Sequence, residues 1–422
     1  MKLSLLTIGN ELLDGRVSNT NAQFVGAYLN ECGYNLESVM MVSDHREDLL
    51  AALSVLRPLF DVLIITGGLG PTEDDRTVSV LAEYLEMDLE FRTNVYDDMR
   101  SYFKKRGRDM PENNKKQAYL PKGANYLKNE WGSAPACAMH YQHTLFFCLP
   151  GVPFEMRHLT TQYLPNLLKT FSKQRGFVVN KKEKRLFRCE GLSEAALAEQ
   201  VDACQGRPLA LELSYQAAFP EIILQFSYPS MTPALRSFFD RLYTSLKPYI
   251  FSQEAGSLFS LLKKALLEKQ QRMALAESCT GGLLAAEFCA LPGISTVFSG
   301  SIVAYDNEIK SNLLYVPETL ITQEGAVSAA VALAMLKGVF KRFDVDWALA
   351  ITGIAGPDSD KTDKPVGSVF IAYGCLHQPR CKFFTFRGQR EDVQRQAVKM
   401  AVLLLLKEVL TAPLNCSKTK AT

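Results

Sequence analysis

The sequence predicts an α/β protein with two three-layer domains and a smaller α+β domain between them. Toward both ends of the chain, buried apolar runs alternate with helical patterns, and this alternation favours parallel sheets covered by helices. The runs that end near residues 66, 150 and 278 each lead through a glycine-containing turn toward a helix. Ligands of open α/β sheets bind at these carboxyl ends of the strands.

In the first domain, residues 1–165, strands are expected at 3–8, 36–42, 61–66 and 145–150. Helices are expected from about residue 18 to 32 and from 46 to 56, because apolar residues recur there at helical spacing. Ser18 to Asn21 supply capping side chains for the first of these helices. Residues 91–120 are largely helical and polar by pattern, with a second short helix opening at Pro111.

The glycine-rich segment Thr66–Thr77 follows the buried strand at 61–66. Glycines at this place let backbone N–H groups approach a phosphate closely, and the candidate substrate-binding residues of this domain are Gly67, Gly68, Gly70, Thr72 and Asp44. Asp74 and Asp75 are candidate ligands for a cation on that phosphate, since carboxylate oxygens suit Mg²⁺. The alternative is a plain loop in which Asp75 stabilises a helix N-terminus.

Residues 166–253 form the small α+β domain. Strands are expected at 185–189 and 222–226, with helices at 194–203, capped by Ser193, and at 233–246. The basic run Lys181–Arg185 is interpreted as a solvated edge. It lacks the interleaved aromatic residues of a nucleic-acid surface, so we do not expect nucleic acid as a partner.

The third domain, residues 254–413, returns to the α/β pattern. Helices are expected at 258–269, 328–343 and 391–410, and strands at 347–352 and 366–373. Residues 414–422 are predicted to be a frayed polar tail.

The stretch Ala274–Ala286 organises this third domain. A short buried strand ends at Ser278, a turn at Thr280, Gly281 and Gly282 follows, and then a helix opens. Unpaired N–H groups at a helix start attract anions, so the Ser278 hydroxyl is a candidate nucleophile in a polarising position. The alternative is that these hydroxyl residues only cap the helix.

Composition narrows the class of protein. The formal charge of +2 indicates no nucleic-acid patch, and the longest apolar run, residues 401–406, is too short to span a bilayer. The first eleven residues are interrupted by polar side chains too early for a signal peptide. The ten cysteines include no Cys-x-x-Cys pair, which suits a reducing cytosol. We therefore expect a cytoplasmic protein with no membrane partner.

Together the motifs resemble the CinA (competence/damage-inducible protein A) family over almost the whole chain. Residues 9–13, 19–22, 67–75, 111–118 and 149–153 resemble its molybdopterin-binding-like domain, which is MoaB/MogA-like. Gly191 and Glu194 resemble its KH-like linking domain. Residues 276–282, 305–310, 325–328, 352–357 and 364–367 resemble its nicotinamide-mononucleotide (NMN) deamidase domain.

The resemblance implies two activities in pyridine-nucleotide salvage. The C-terminal domain would convert NMN to nicotinic-acid mononucleotide and ammonia, with no cofactor. The N-terminal domain would hydrolyse ADP-ribose to AMP and ribose 5-phosphate, with a divalent cation such as Mg²⁺ and possibly K⁺. The family also forms homodimers.

One loop departs from the family pattern. Where members usually carry Asn-Pro-Val-Gly-Thr-Ala-Pro-Gly, this chain has residues 129–136, with Trp131 in place of a smaller residue and Ala136 in place of a glycine. A positive φ at position 136 would disfavour alanine. Both changes fall on the presumed pyrophosphatase site.

Amide hydrolysis needs a nucleophile, a proton acceptor, oxyanion donors and a substrate anchor. Ser278 is the candidate nucleophile and Lys310 the candidate base, since burial or a cationic neighbour lowers the pKa of a lysine. Tyr305 is a candidate proton relay, and Thr352 completes the candidate catalytic set. The candidate substrate-binding residues here are Thr280, Gly281, Gly282, Gly353, Gly356 and Arg390.

Alternatives stay open for several of these residues. Tyr305 also fits a packed strand position, Arg390 a plain surface position, and Cys279 a thiol nucleophile if something activates it. The N-terminal domain also fits a pterin- or nucleotide-binding module without turnover. The family's name raises a last alternative, a non-catalytic partner in competence or recombination.

Overall fold

The structure is a computed structural model that describes residues 1–178, 182–358 and 363–413. The described residues form two compact units, and the division lies between Lys182 and Glu183.

The first unit contains eight strands and six α-helices among its described residues. The strands are β1 (Leu3–Ile8), β2 (Leu36–Val42), β3 (Val62–Thr66), β4 (Leu89–Phe91), β5 (Tyr119–Pro121), β6 (Asn125–Leu127), β7 (Ala136–Tyr141) and β8 (Thr144–Leu149). The helices are α1 (Asn10–Leu13), α2 (Thr20–Glu31), α3 (Arg46–Leu56), α4 (Thr77–Tyr84), α5 (Thr93–Lys105) and α6 (Pro153–Arg175). A 3₁₀ helix spans Glu112–Ala118.

The main sheet of this unit has the strand order β2-β1-β3-β8-β7-β6. Strands β2, β1, β3 and β8 are parallel, whereas β7 and β6 run antiparallel to their neighbours. Helices cover both faces. Leu3 and Leu5 of β1 join the core cluster that includes α2 and α6, and Leu6 and Ile8 join the cluster that includes α3 and α4. The predicted three-layer α/β arrangement is confirmed for this unit.

Two features of the first unit differ from expectation. The expected domain boundary after residue 165 lies inside α6, which continues to Arg175, and the compact unit extends to Lys182. Pro165 interrupts the hydrogen-bond pattern of a helix, which makes the position resemble a helix end in sequence. The sequence pattern also missed β4 to β7. Three of these strands have only three residues each, too few for an alternating pattern.

The second unit contains nine strands and eight α-helices among its described residues. The strands are β9 (Glu183–Cys189), β10 (Glu212–Ala218), β11 (Glu221–Tyr228), β12 (Ile250–Ser252), β13 (Met273–Glu277), β14 (Phe298–Val303), β15 (Trp347–Gly353), β16 (Ser368–Cys375) and β17 (Gln378–Thr385). The helices are α7 (Glu194–Ala203), α8 (Pro233–Leu246), α9 (Leu258–Glu268), α10 (Leu283–Cys289), α11 (Asn307–Leu314), α12 (Glu318–Glu324), α13 (Ala329–Arg342) and α14 (Arg390–Thr411).

The first part of this unit is a small α+β body. Its antiparallel sheet has the order β10-β11-β9-β12, and α7 and α8 contribute to the same core. Ser193 caps α7 by accepting a hydrogen bond from the Ala196 N–H. Arg188 and Glu221 form a buried ion pair, and Arg188 also donates to the Gly256 carbonyl. This network fastens the small sheet to the chain that enters α9.

The second part is a three-layer α/β body. Its sheet has the order β14-β13-β15-β16-β17, in which β14, β13 and β15 are parallel and β16 and β17 are antiparallel. Leu275 of β13 packs in the cluster that contains α9 and α14, whereas Ala274 and Ala276 pack in the cluster that contains α13. The predicted fold class is therefore confirmed here as well. The predicted frayed tail, residues 414–422, lies outside the described residues.

Among the described helices, none combines the length and the apolar character that crossing a membrane requires.

Candidate functional site

A cavity of about 460 Å³ lies at the carboxyl ends of β13 and β15. We call it the Ser278 cavity. All four candidate catalytic residues converge there although they are distant in sequence. The lining includes Ser278, Lys310, Tyr305, Thr352, Gly353, Gly356 and Arg390.

Ser278 follows β13 directly, and its position is set by the turn that comes after it. Its N–H donates to the Ile351 carbonyl at 3.0 Å, and its carbonyl accepts from the Gly281 N–H at 3.0 Å. The side chain is 7% exposed and borders the cavity. Among the described residues, no hydrogen-bond partner holds the Ser278 hydroxyl, so it is available to a ligand.

The Glu277 carboxylate accepts hydrogen bonds from the donors of the turn beside Ser278. Its side chain is fully buried, and one carboxylate oxygen accepts from the Thr280 hydroxyl at 2.8 Å, the Gly282 N–H at 3.1 Å and the Leu284 N–H at 3.0 Å. The other oxygen accepts from the Ala285 N–H at 2.9 Å and the Ser301 hydroxyl at 3.3 Å. These bonds fill the donor positions at the start of α10.

The structure thus differs from the expectation for Thr280, Gly281 and Gly282. Their side chains or N–H groups bond inside the turn, and none of the three residues lines the Ser278 cavity. The physical reason is that a carboxylate placed one residue before the turn satisfies the orphan N–H groups that would otherwise attract a substrate anion. An anion bound in the Ser278 cavity would therefore need donors from other residues of its lining.

Lys310 lies on α11 with its side chain almost completely buried, at 2% exposure. Its Nζ donates to the Tyr305 carbonyl at 3.0 Å. Burial lowers the pKa of Lys310 below its ordinary value of 10.5, against the opposing attraction of Asp306. A lysine in this environment releases its proton more readily, as a base requires.

Tyr305 and Arg390 form a pair at the cavity mouth. Arg390 is the first residue of α14, and its guanidinium donates to the Tyr305 hydroxyl at 2.7 Å and to the Gly356 carbonyl at 2.5 Å. Tyr305 lies beyond the end of β14 and is 59% exposed, so it is not a packed strand residue. Arg390 likewise has hydrogen-bond partners, so it is not a plain surface arginine.

Thr352 and Gly353 shape the cavity wall. The Thr352 hydroxyl donates to the Ala326 carbonyl at 2.9 Å and so holds the segment before α13 against β15. A Cβ at position 353 would overlap the Ser368 carbonyl and Val369, so only glycine fits between β15 and β16 there. In this geometry, Thr352 positions the wall.

Cys279 borders the same cavity, but its thiol is poorly suited to attack. Burial raises the pKa of Cys279 to about 12, and the thiolate is the nucleophilic form. Its carbonyl accepts from the Gln394 side chain of α14 at 2.7 Å. Arg390 and Gln394 are four residues apart and lie on one face of α14, so this helix holds two of the cavity segments at once.

Sequence reasoning missed Glu277 and Gln394. Glu277 has a usable signal, because it is a carboxylate at the end of an otherwise apolar, fully buried strand. Buried charges are rare unless they are paired or hydrogen-bonded. Gln394 has no such signal, since a glutamine in the second turn of a helix is ordinary surface composition.

The first unit contains two cavities that share the loop after β3. The Tyr119 cavity, of about 360 Å³, is lined by residues that include Arg76, Lys116 and Tyr119. The Asn19 cavity, of about 400 Å³, is lined by residues that include Glu11, Asn19 and Asn21. Gly68, Leu69, Gly70 and Asp75 line both.

Asp75 and Thr72 hold the shared loop in shape. One Asp75 carboxylate oxygen accepts from the Thr72 N–H at 2.9 Å and from the Thr72 hydroxyl at 2.5 Å. Lys116 donates to the Thr72 carbonyl and, at 3.2 Å, to the Asp75 carbonyl. Gln117 donates to the Leu69 carbonyl at 2.7 Å. Thr72 therefore acts inside the loop and does not border either cavity.

The remaining candidates of this unit lie apart from the cavities. The Gly67 N–H donates to the Leu149 carbonyl, and the Asp44 carboxylate accepts from Asn10 at 2.8 Å. Asp44, Gly67 and Asp74 are outside the lining of both cavities. Over the described ranges, no group of three or more His, Cys, Asp or Glu side chains is arranged to hold a metal.

The loop that departs from the family pattern does not block either of these two cavities. Trp131 stacks on His158 with the ring centroids 4.5 Å apart and lies outside the lining of both cavities. Ala136 is the first residue of β7 and is not among the residues with positive φ. Ala134 and Pro135 are the residues of the loop that border the cavities. The glycine-to-alanine difference is therefore compatible with the local backbone.

Comparison with known proteins gives two family matches. Residues 256–409 match the model of the CinA C-terminal domain, and residues 4–170 match the model described as "Probable molybdopterin binding domain". A CinA-like protein of Citrifermentans bemidjiense is 35% identical over 413 residues, which cover 97% of this chain and 98% of the relative. A CinA-like protein of Geobacter sp. (strain M21) is 37% identical over 397 residues, 93% of this chain and 94% of the relative.

The solved structures described here each match a part of this chain. A crystal structure of a competence-damaged protein (CinA) superfamily protein from Klebsiella pneumoniae is 33% identical and covers 36% of this chain and 96% of its own, with a TM-score of 0.36. The molybdopterin biosynthesis enzyme MoaB of Thermus thermophilus is 20% identical, covers 42% of this chain and has a TM-score of 0.30. On the two domain matches and the nearly full-length relatives, this chain belongs to the CinA family.

Proposed function

We propose that the C-terminal domain is an amidohydrolase that converts NMN and water to nicotinic-acid mononucleotide and ammonia. The observation that carries the proposal is the meeting of Ser278 and Lys310 at one cavity, with a free hydroxyl on the first and a lowered pKa on the second. The family resemblance supplies the substrate.

The reaction divides into two steps. The Ser278 Oγ attacks the carboxamide carbon, Lys310 takes the hydroxyl proton and then gives it to the leaving nitrogen, and the C–N bond breaks to release ammonia. Water then attacks the ester so formed, Lys310 takes its proton and returns it to Ser278, and the carboxylate is released. The contact between Ser278 and Lys310 is expected to tighten when the substrate binds.

The other residues of the cavity have supporting roles. Arg390 retains guanidinium donors beyond those given to Tyr305 and Gly356, and these suit the phosphate of a mononucleotide. The backbone N–H groups of Cys279, Ala355 and Gly356, residues that border the cavity, are the candidate oxyanion donors.

Ser278→Ala tests the nucleophile, with Cys279→Ala as its matched neighbour. Ammonia release from NMN is expected to be lost in the first variant and largely retained in the second. When turnover is quenched by denaturing the enzyme, mass spectrometry should find the acyl group on the peptide that contains Ser278. Near wild-type activity of Ser278→Ala would remove Ser278 from the mechanism, and loss in Cys279→Ala with an acyl-thioester would assign the chemistry to the thiol.

We propose a second activity for the N-terminal unit, the hydrolysis of ADP-ribose to AMP and ribose 5-phosphate. The observation that favours it is the glycine loop with Asp75 and Lys116 between two cavities. Water adds to one phosphorus as the P–O–P bond breaks, so each product keeps one phosphate.

A divalent cation fits these residues only in the manner of Mg²⁺, which uses one or two carboxylates with water and substrate phosphates. Asp75 and Glu11 are the carboxylates that line the Asn19 cavity, and the second Asp75 oxygen has no hydrogen-bond partner among the described residues. When bound, the cation would neutralise charge on the phosphates. The role of Asp75 in the loop is separate from this one, because a single carboxylate oxygen accepts both hydrogen bonds from Thr72.

Asp75→Asn tests this second activity, with Asp74→Asn as the matched neighbour that lies off the cavities. AMP formation from ADP-ribose with Mg²⁺ is expected to fall steeply in the first variant and little in the second. Tight ligand binding by calorimetry without any AMP from the wild-type chain would instead favour a pterin- or nucleotide-binding module. A partner recovered equally well by a chain carrying both Ser278→Ala and Asp75→Asn would favour the non-catalytic role.

A further inference from the structure

The small α+β body of the second unit contacts α14 and the core beside it. Lys407 of α14 forms an ion pair with Glu190 at 2.6 Å. Phe251 of β12 packs against the core cluster that contains α9 and α14. Among the described residues that line the Ser278 cavity, none belongs to the small body. Any effect of the small body on that cavity therefore passes through α14 or the segments beside it.

Phe219, in the turn between β10 and β11, contacts the segment that leads into α14. Its ring meets the Phe386 ring edge-on, with the centroids 6.0 Å apart and an interplanar angle of 88°. Phe219 is 43% exposed, whereas Phe386 is 6% exposed. Aromatic pairs in this geometry attract each other beyond the area that they bury. The turn thus makes a specific contact with a ring that is buried in the α/β body.

The turn that carries Phe219 is fixed on its own side. Glu221, the first residue of β11, is buried and accepts from the Arg188 Nε at 2.7 Å. Arg188 also donates to the Gly256 carbonyl, on the chain that enters α9. A buried polar network whose members are all bonded holds its elements in one arrangement. Phe219 is therefore presented to Phe386 from a rigid support.

Phe386 is joined to the cavity wall by backbone hydrogen bonds. Its N–H donates to the Gly367 carbonyl at 2.9 Å, and the Gly367 N–H donates to the Ile354 carbonyl at 2.7 Å. Ile354 lines the Ser278 cavity. A Cβ at position 367 would overlap the Phe386 carbonyl, so the two segments lie in close contact.

Phe386 is also joined to Arg390 along the chain, because residues 387–389 alone lie between them. The Arg387 carbonyl accepts from the Gln396 side chain at 2.6 Å. Gln389 and Asp392 form a capping box at the start of α14. In a segment this short and this well bonded, a displacement of Phe386 also displaces the first turn of α14.

We infer that the small α+β body fixes the position of Arg390 at the Ser278 cavity, with Phe219 as the positioning residue. Without its ring, segment 386–390 would populate arrangements in which Arg390 is displaced. The affinity for substrate then falls in proportion to the fraction of chains that keep the competent arrangement. The inference rests on the proposed amidohydrolase activity and gives the small body a role in it.

Steady-state kinetics of ammonia release from NMN tests the inference on the full chain. Phe219→Ala is expected to raise KM about fivefold, the factor that corresponds to one aromatic pair. The change in kcat should stay below about twofold, because Ser278 is held by its own turn and Lys310 lies on α11. Phe219→Tyr keeps the ring and should keep KM near wild type.

Phe383→Ala is the matched control. Phe383 is 52% exposed on β17, and its ring packs on Phe370 instead of Phe386. It should leave KM and kcat near wild type. An unchanged KM in Phe219→Ala, an equal rise in Phe383→Ala, or a loss confined to kcat would overturn the inference.

Hydrogen exchange read by mass spectrometry separates this inference from the proposed activity, since it needs no turnover. Phe219→Ala should speed amide exchange in residues 387–394, while Phe219→Tyr and Phe383→Ala should leave it near wild type. A wild-type chain that releases no ammonia but shows this exchange pattern would lose the proposed activity and retain the positioning role. An active chain in which Phe219→Ala changes neither KM nor exchange would retain the activity and lose the positioning role.

Discussion

Replacing Glu277 by glutamine should damage both the stability of the second unit and the reactivity of Ser278. The carboxylate accepts five hydrogen bonds, three of them from backbone N–H groups at the start of α10. An amide of the same shape has one acceptor oxygen and one donor nitrogen. At best its nitrogen faces Ala285 and Ser301, where the hydroxyl can turn to accept but the Ala285 N–H loses its partner.

The magnitude follows from these contacts. A buried N–H left unpaired costs about 1–3 kcal/mol, and loss of a negative charge at a helix start costs about 0.3–1 kcal/mol more. With the remaining bonds weakened, the free energy of unfolding should fall by about 2–4 kcal/mol. For a unit of this size that corresponds to a fall in Tm of about 5–15 °C.

At the assay temperature, the Glu277→Gln change should lower kcat by more than the loss of stability alone would cause. A displacement of about 1 Å in a reacting group can cost about 100-fold in rate, and the Ser278 turn is held by this carboxylate. We expect kcat for ammonia release from NMN to fall by about that factor at a temperature well below Tm, with KM nearly unchanged. The KM is expected to hold because the proposed substrate anchor, Arg390, lies on α14.

Glu287→Gln is the matched control, since it makes the same chemical change at an exposed position of α10. It should leave Tm and kcat within error of wild type. A Glu277→Gln variant with unchanged Tm and kcat would refute the reasoning, and a loss confined to KM would mean that this turn contacts the substrate directly.

Three further outcomes follow from the second unit. In Lys310→Arg, the rate of ammonia release should fall by about 100-fold, because a guanidinium does not give up its proton. In the wild type, kcat/KM should rise with pH along a limb below 10.5, since burial lowers the pKa of Lys310. A flat pH–rate profile would contradict its role as base. Gln394→Leu should lower kcat about tenfold with little change in KM or Tm, measured by steady-state kinetics and thermal melting, because it releases the Cys279 carbonyl. Arg188→Met should destabilise the unit by about 3–5 kcal/mol in urea unfolding, since it leaves a buried Glu221 unpaired, and Arg188→Met/Glu221→Leu should recover much of that loss.

The elements that matched expectation are those with a strong local pattern. The run Val62–Thr66 is apolar and β-branched, and Ser193 with the helix after it carries a standard cap. Short strands such as Asn125–Leu127 have too few residues to show a period, and they form because a neighbouring strand offers its edge. The interior of α6 shows the opposite case, in which tertiary packing tolerates Pro165 in a continuous helix.

The candidate site likewise has features that the sequence predicted and features that depend on the tertiary structure. The sequence marked Ser278, Lys310 and Arg390 as reactive or charged residues at the ends of elements, while their approach to one cavity depends on β13 lying beside β15 and on α14 packing across them. The sequence also suggested that the N–H groups after Ser278 bind an anion. The structure has Glu277 in that position instead, because a buried carboxylate must find donors and the start of α10 supplies them.

The sequence by itself determined the α/β class, most long helices and strands, the family and the residue types of both candidate sites. Only the tertiary structure decided which hydrogen-bonding groups remain free for a ligand. Periodicity and turn chemistry are properties of neighbouring residues, so they can be read locally. Whether a hydroxyl, an N–H group or a guanidinium is already satisfied depends on partners brought together from distant parts of the chain.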